Sequence, residues 1–128
     1  MNGMADRSKK DTGDLGEQKA IQYLIDSNYQ ILKTNFRVGR IGEIDIIARD
    51  GEYICFVEVK TRKTTSFGYP SEAVDSVKQH RINQVAAIYL SNMGLSDQCS
   101  RFDIIEVFIN RQKDKEEIKS INHLKNAF

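Results

Sequence analysis

Residues 42–62, GEIDIIARDGEYICFVEVKTR, decide how this chain folds. From Glu43 to Arg49 charged and apolar residues largely alternate, the period-two signature of a strand with two unlike faces. Asp50-Gly51 signals a hairpin turn, because glycine tolerates the positive φ that such a turn demands. Tyr53–Lys60 follows as an apolar, β-rich run that ends in charge. With Asp50 and Gly51 as the two central turn residues, Arg49 would pair with Glu52, Ile47 with Ile54, Asp45 with Phe56 and Glu43 with Glu58. Side chains alternate along a strand, so Glu43, Asp45, Glu58 and Lys60 would all project from one face. Asp45 and Glu58 would be diagonal neighbours on it.

Outward from this hairpin the remaining elements fall into place. Glu17, Ala20, Ile21 and Leu24 carry the spacing of one helix face, with Asp14 as N-cap and Asp26-Ser27-Asn28 as the stop. Residues 1–12 are polar and without period, and read as a disordered N-terminal arm ahead of a single domain at 13–128. Tyr29–Phe36 reads as a first strand. Ser71 is the expected cap of a helical region reaching Met93, with a break allowed near Asp75-Ser76 and Gly94 as its stop. Its apolar stripe is Ile82, Val85, Ala86 and Tyr89. Arg101–Asn110 reads as a strand, Arg111–Glu117 as a charged turn, and Ile118–Phe128 as a last strand. The order α, β, β, β, α, β, β predicts an α/β fold with a mixed central sheet flanked by helices.

At 128 residues the chain is sized for one compact domain. Lys and Arg number 19 against 18 Asp and Glu, a net charge of +1 that argues against bulk polybasic binding but leaves a locally basic groove open. No apolar run approaches the ~20 residues of a membrane helix, and the first residues lack the apolar segment of a secretory signal. Cys55 and Cys99 alone support neither a disulfide scaffold nor a multi-cysteine zinc site, and reduced thiols in the cytoplasm are the simplest reading.

The acidic face of the hairpin carries the chemistry. Setting Glu43 opposite Glu58 beside Asp45 is unfavourable, because like charges across a ladder repel. A hard divalent cation would remove that repulsion, and Mg²⁺ is usually held by one or two carboxylates together with waters and phosphate oxygens. Lys60 would then stand where it orients the attacking water or stabilises charge on the phosphate. Glu17 falls on the apolar face of its helix and becomes a further candidate ligand if that helix covers the sheet. Glu-x-Lys alone carries little weight, since it recurs at Glu17–Lys19 and Glu117–Lys119. The informative pattern is Asp, a tight turn, and an apolar strand ending in Glu-x-Lys on the same face.

The run 42–62 resembles the core motif of the restriction-endonuclease-like nucleases, the PD-(D/E)XK superfamily. From about Gly13 onward the chain more closely resembles the bacterial YraN-like family. The matching stretches are GDLGEQKAIQYL, TNFRVGRIGEIDIIARD, FVEVKTRKTTSFGYPSEAV, RFDIIEV and INHLKNAF. At greater distance it is similar to archaeal Holliday-junction resolvases. The resemblance implies a restriction-endonuclease-like mixed sheet and a divalent-metal phosphodiesterase site using Mg²⁺, with Mn²⁺ as substitute. It makes Glu17 the helix acid, Asp45 the metal-bridging Asp, and Glu58 and Lys60 the Glu-x-Lys. Asp45, Glu58 and Glu17 are then the expected metal ligands, with Glu43 as a secondary candidate.

Lys33, Arg37 and Arg40 precede the acidic motif, and between Lys60 and Arg81 five basic residues face two acidic ones. Arg37, Arg40, Arg62, Lys63 and Lys78 are the expected phosphate-contacting rim. Lys78 stands out because it lies one turn before Ile82, on the face of the apolar stripe. Phe67-Gly68-Tyr69-Pro70 reads as an aromatic pin for its loop. His80 and His123 lack ligand spacing, Cys55 reads as a small core residue, and Asp103 as a strand-end hydrogen bond or ion pair. The leading expectation is a metal-dependent, structure-specific endonuclease acting on DNA, with no membrane partner and a homodimer left open. The alternatives are a catalytically inactive nucleic-acid-binding module of the same fold and a protein-interaction domain.

Overall fold

The computed structural model describes residues 4–63, 74–112 and 115–128. Among the described residues, two helices and five strands follow in the expected order. These are α1 (Met4–Asp26), β1 (Gln30–Val38), β2 (Gly42–Asp50), β3 (Tyr53–Lys63), α2 (Ser76–Asn92), β4 (Cys99–Gln112) and β5 (Lys115–Leu124). The strands lie side by side in chain order in one sheet. The β1–β2, β2–β3 and β4–β5 pairs are antiparallel, whereas β3 and β4 run parallel and are joined through α2. The mixed central sheet flanked by helices is therefore the observed architecture. Among the described residues no helix is long and apolar enough to cross a membrane.

Each helix covers one face, and alternation along the strands supplies a core for both. Ala20 and Leu24 of α1 pack with Ile46, Ala48, Cys55, Val57, Ile105 and Val107. The stripe Ile82, Val85, Ala86 and Tyr89 of α2 packs with Ile44, Ile47, Ile54, Phe56 and Ile104 on the other face. At Gly16 the backbone of α1 comes so close to Thr61 of β3 that a Cβ there would collide with the threonine side chain.

Several boundaries differ from the sequence expectation. α1 begins at Met4 rather than at Asp14. Helix α2 is capped by Asp75, whose carboxylate accepts from Lys78 N at 2.8 Å; Ser71, the expected cap, lies outside the described residues. Phe67-Gly68-Tyr69-Pro70 also lies outside them. The charged stretch expected as a turn at Arg111–Glu117 instead extends β4 to Gln112 and opens β5 at Lys115.

The hairpin register shifts by one turn residue. Asp50 pairs with Tyr53, Arg49 with Ile54 and Ile47 with Phe56, so Gly51 and Glu52 form the turn. Gly51 takes φ +58, which a two-residue turn with glycine at its first central position requires. The slip moves every cross-strand partner by an even step, which by itself turns no side chain to the other face. Glu43 does not oppose Glu58, contrary to the sequence expectation. It pairs with Arg37 of β1 instead.

Candidate functional site

β2 and β3 stop pairing at Ile46↔Val57, one step short of Asp45 and Glu58. At the same level β1 and β2 exchange faces. Ile46 belongs to the core under α1 and Ile44 to the core under α2, although strict alternation would put them together. Between the pairs Thr34↔Ile46 and Phe36↔Ile44 lies Asn35, at φ +51. Asparagine tolerates the left-handed region better than most residues, so a single strained position rotates the strand pair. The Asp45 side chain emerges at this rotation, and its Oδ2 accepts a hydrogen bond from Val59 N at 2.8 Å. The bond ties the carboxylate to the strand that carries Glu58 and Lys60.

Asp45 is held in an unfavourable electrostatic position. Burial, then the charge of Glu58, push its carboxyl up to about 7 against the Val59 N–H; Glu17 and Glu43 raise it further. Glu17 enters from α1, and its Oε1 accepts from Asn35 Nδ2 at 2.8 Å. Burial also raises the Glu17 carboxyl, the Asn35 hydrogen bond opposes that rise, and the charges of Glu43 and Asp14 add to it. A groove of about 370 Å³ opens between Asp14, Glu17, Asp45, Lys60 and Thr61. The close approach at Gly16 sets how far α1 leans over β3, and hence where its neighbour Glu17 enters this groove.

Glu58 is buried, and its charge is already matched. Its Oε1 lies 2.6 Å from Lys78 Nζ and 3.6 Å from Lys60 Nζ. Burial lowers the Lys60 ammonium, reinforced by Lys78 and opposed by Glu58 and Asp45. Burial would also lower Lys78, but its hydrogen bond and charge pairing with Glu58 outweigh that and raise it.

Glu17, Asp45, Glu58 and Lys60 are thus brought to one end of the β2–β3 hairpin. Among the described residues, however, no three Asp, Glu, His or Cys side chains converge as a ready-made metal cage. The donor chemistry still fits a hard divalent cation. Asp45 offers an oxygen beyond the one bonded to Val59, Glu58 offers one beyond Oε1, and mutual repulsion raises the Asp45 carboxyl. Asp45 and Glu58 would hold the ion, with Glu17 at hand from α1.

The expected basic rim divides. Lys78 faces inward to Glu58. The Arg62 Nε donates to Oε2 of the buried Glu106 at 3.0 Å, and Asn122 donates to the other oxygen of that carboxylate. A guanidinium neutralising a buried carboxylate is a structural pair, so Arg62, expected on the rim, is engaged with Glu106 here. Arg37 is exposed, with its Nε on Gly39 O. Arg40 is exposed and lines a second groove, of about 320 Å³, with Glu43, Val77, Lys78 and Arg81. The Lys63 side chain lies outside the described residues.

A second polar cluster lies at the opposite end of β2 and β3. Asp103, fully buried, accepts from Arg101, pairs with His123 at 2.8 Å and takes the Asn126 N–H. Arg101 reaches on to Asp50 and the Tyr29 hydroxyl, and His123 meets the Tyr23 hydroxyl. The network joins α1, β2, β4 and β5, matching the structural roles expected for Asp103 and His123. Cys55 is buried and Cys99 exposed, both as free thiols.

Sequence reasoning missed Asn35, Gly16 and Glu106. Each carried a signal: an asparagine inside an extended run, a glycine in a helix interior, and a glutamate among alternating apolar residues of a central strand.

The model of a family described as "Uncharacterised protein family UPF0102" matches residues 16–107. A UPF0102 protein of Acetivibrio thermocellus is 49% identical to this chain, over 94% of the chain and 93% of the relative. One from Moorella thermoacetica is 41% identical over 94% of the chain and 98% of its own length. One from Geotalea daltonii is 42% identical over 100% and 97%.

Proposed function

The chain belongs to the uncharacterised protein family UPF0102, and on that premise we propose that it is a divalent-metal-dependent endonuclease. It hydrolyses phosphodiester bonds in cytoplasmic DNA, with branched or repair intermediates as its substrate class. UPF0102 is the YraN-like family whose motifs the sequence resembles. The carrying observation is the array at the fork of β2 and β3. There Asp45, bonded to Val59 N at 2.8 Å, stands beside the strand that presents Glu58 and Lys60, and Glu17 enters from α1. A bound Mg²⁺ would neutralise phosphate charge and lower the pKa of a water. Asp45 and Glu58 would hold that ion, and Glu17, steadied by Asn35, would stand beside it to orient the attacking water. Lys60, on the groove wall beside Asp45, stabilises negative charge developing on the phosphate.

The test is a panel of linear, flapped and four-way DNA with Mg²⁺ and Mn²⁺. Lys60→Ala should retain metal binding and most DNA affinity while cleavage falls ~10²–10³-fold, the usual cost of one preorganised charge. Lys60→Arg should rescue poorly, because a planar fork does not replace a compact ammonium. Equal cleavage by Lys60→Ala and wild type would remove Lys60 from the chemistry. No cleavage of any substrate by wild type would favour the inactive nucleic-acid-binding module. That second reading draws on Glu58, whose charge is already matched by two lysines.

A further inference from the structure

We propose that Lys78 is a built-in counterion of Glu58 that a divalent cation displaces, so that metal binding and the release of the Lys78 ammonium toward substrate phosphate are one event. The inference rests on the metal-dependent reading above and adds a coupling between its two ligands. Lys78 Nζ lies 2.6 Å from Glu58 Oε1, well inside the 3.6 Å of Lys60 Nζ to the same oxygen. The Glu58 side chain is only 10% exposed, so the carboxylate is shielded from water and its charge is balanced by protein cations. A divalent ion taken up by this carboxylate meets an ammonium at hydrogen-bond distance, and two cations on one buried carboxylate repel.

The two lysines are not equally free to move. Lys60 grows from the same strand as Glu58 and lines the groove with Asp45. Lys78 reaches Glu58 from the first turn of α2, in a different layer, and its side chain is 38% exposed. It also lines the groove that contains Arg40 and Arg81. An ammonium leaving Glu58 on that side joins the two guanidiniums against the carboxylates of Glu43 and Asp75, and tips the groove to a net positive charge suited to phosphodiester oxygens. Without metal, Arg40 and Arg81 only balance Glu43 and Asp75; with metal the freed Lys78 makes the groove net positive. Phosphate binding and metal binding then strengthen each other, by linkage.

The full chain, wild type and Lys78→Met, is titrated calorimetrically with MnCl₂. In parallel, Mg²⁺ is titrated into wild type while the lysine ¹⁵Nζ/¹³Cε signals are followed by NMR. Absence from the Lys78→Met spectrum assigns the Lys78 signal. The variant should bind Mn²⁺ about tenfold more tightly, because no charge-assisted hydrogen bond has to break first. Saturating Mg²⁺ should move the Lys78 signal to the position of a solvated lysine. Lys78→Gln gives the same affinity shift should methionine impair folding. Equal Mn²⁺ affinity in wild type and variant, or a Lys78 signal unmoved by saturating Mg²⁺, overturns the displacement and leaves the metal site standing. No binding by any of the proteins overturns the metal reading itself, and the displacement falls with it.

Discussion

Asn35 donates its side-chain amide to Glu17 Oε1 at 2.8 Å from a backbone held at φ +51 within β1. One residue thus turns the strand and steadies the helix acid. The two roles separate by substitution. Asn35→Gly keeps the backbone and loses the amide, so the melting temperature should hold while the Glu17 carboxyl, relieved of a bond that lowers its pKa, titrates higher. Asn35→Ala should in addition cost about 1–2 kcal/mol, the penalty of a Cβ in the left-handed region. Carboxylate NMR titration and thermal melts check both, and an unmoved Glu17 in Asn35→Gly would show that the bond does not steer it.

Asp45 should make the metal-free protein less stable as pH rises. Its folded pKa, about 7, lies above the unfolded value, so the folded state holds an extra proton across the window between them. Stability is then greatest below ~4 and falls through ~7. Asp45→Asn in EDTA should gain about 1–2 kcal/mol at pH 8 and nothing at pH 4, a fraction of what the shift allows. Glu58→Gln should do the opposite and lose stability, since it strips two lysines of their partner. Urea titrations at the two pH values decide, and a loss in Asp45→Asn would mean that its carboxylate holds the fork together.

Asp103 should behave in the reverse sense. Burial opposes its charge, but hydrogen bonds from His123, Arg101 and Asn126 N outweigh burial and hold the carboxyl below its usual range. The stability it confers is fully present above ~4 and is lost as pH falls through the lowered value. Asp103→Asn should cost about 3 kcal/mol at pH 7, the scale of a broken buried pair. The gap from wild type should close below pH ~4 in chemical denaturation. A gap that persists unchanged to pH 2 would place its origin in packing instead of charge.

Arg62 and the pair Arg40 and Arg81 should give contrasting phenotypes. Arg62→Ala leaves the carboxylate of Glu106, 2% exposed, with Asn122 alone, and should destabilise the fold by about 3 kcal/mol. Arg40→Ala and Arg81→Ala remove exposed charges and should leave melting within about 0.5 kcal/mol. Each should instead weaken DNA binding by a similar factor across unrelated sequences and lower the salt slope by about one unit. Loss of binding by the two surface variants on one sequence alone would point to base reading.

The legibility of this fold followed the strength of the period. The β2–β3 hairpin and the α2 stripe were readable because charged and apolar residues alternate or recur at helical spacing across them. The turn was misplaced by one residue because Asp50-Gly51 and Gly51-Glu52 are both acceptable central pairs with a positive φ at Gly51, and only the pairing of Asp50 with Tyr53 separates them. That error was an even step, which by itself turns no side chain to the other face; the rotation at Asn35 does so at Asp45, and no period announces it. Lys78 was correctly put on the inner face of α2, but its partner was hidden, since an ion pair between elements leaves no local pattern. The Arg62 pairing was hidden for the same reason. Its partner Glu106 lies on a neighbouring parallel strand, and nothing in a local basic run reveals a buried glutamate 44 residues away.

The parallel junction between β3 and β4 divides the molecule in time as well as in space. Glu17, Asp45, Glu58 and Lys60 sit on α1, β2 and β3, all within a run of neighbours joined by short connections. A chain emerging from the ribosome can close that meander while α2 and β4 are still unmade. The edge of β3 from Tyr53 to Lys63 then waits without its partner until β4 has been translated and α2 has carried it back alongside. During that interval the nascent chain displays its most apolar strand as an open template for pairing, the hazard that edge strands pose in synthesis. A chain released after residue 63 should therefore be a species that needs a chaperone, whereas one released after β4 should not.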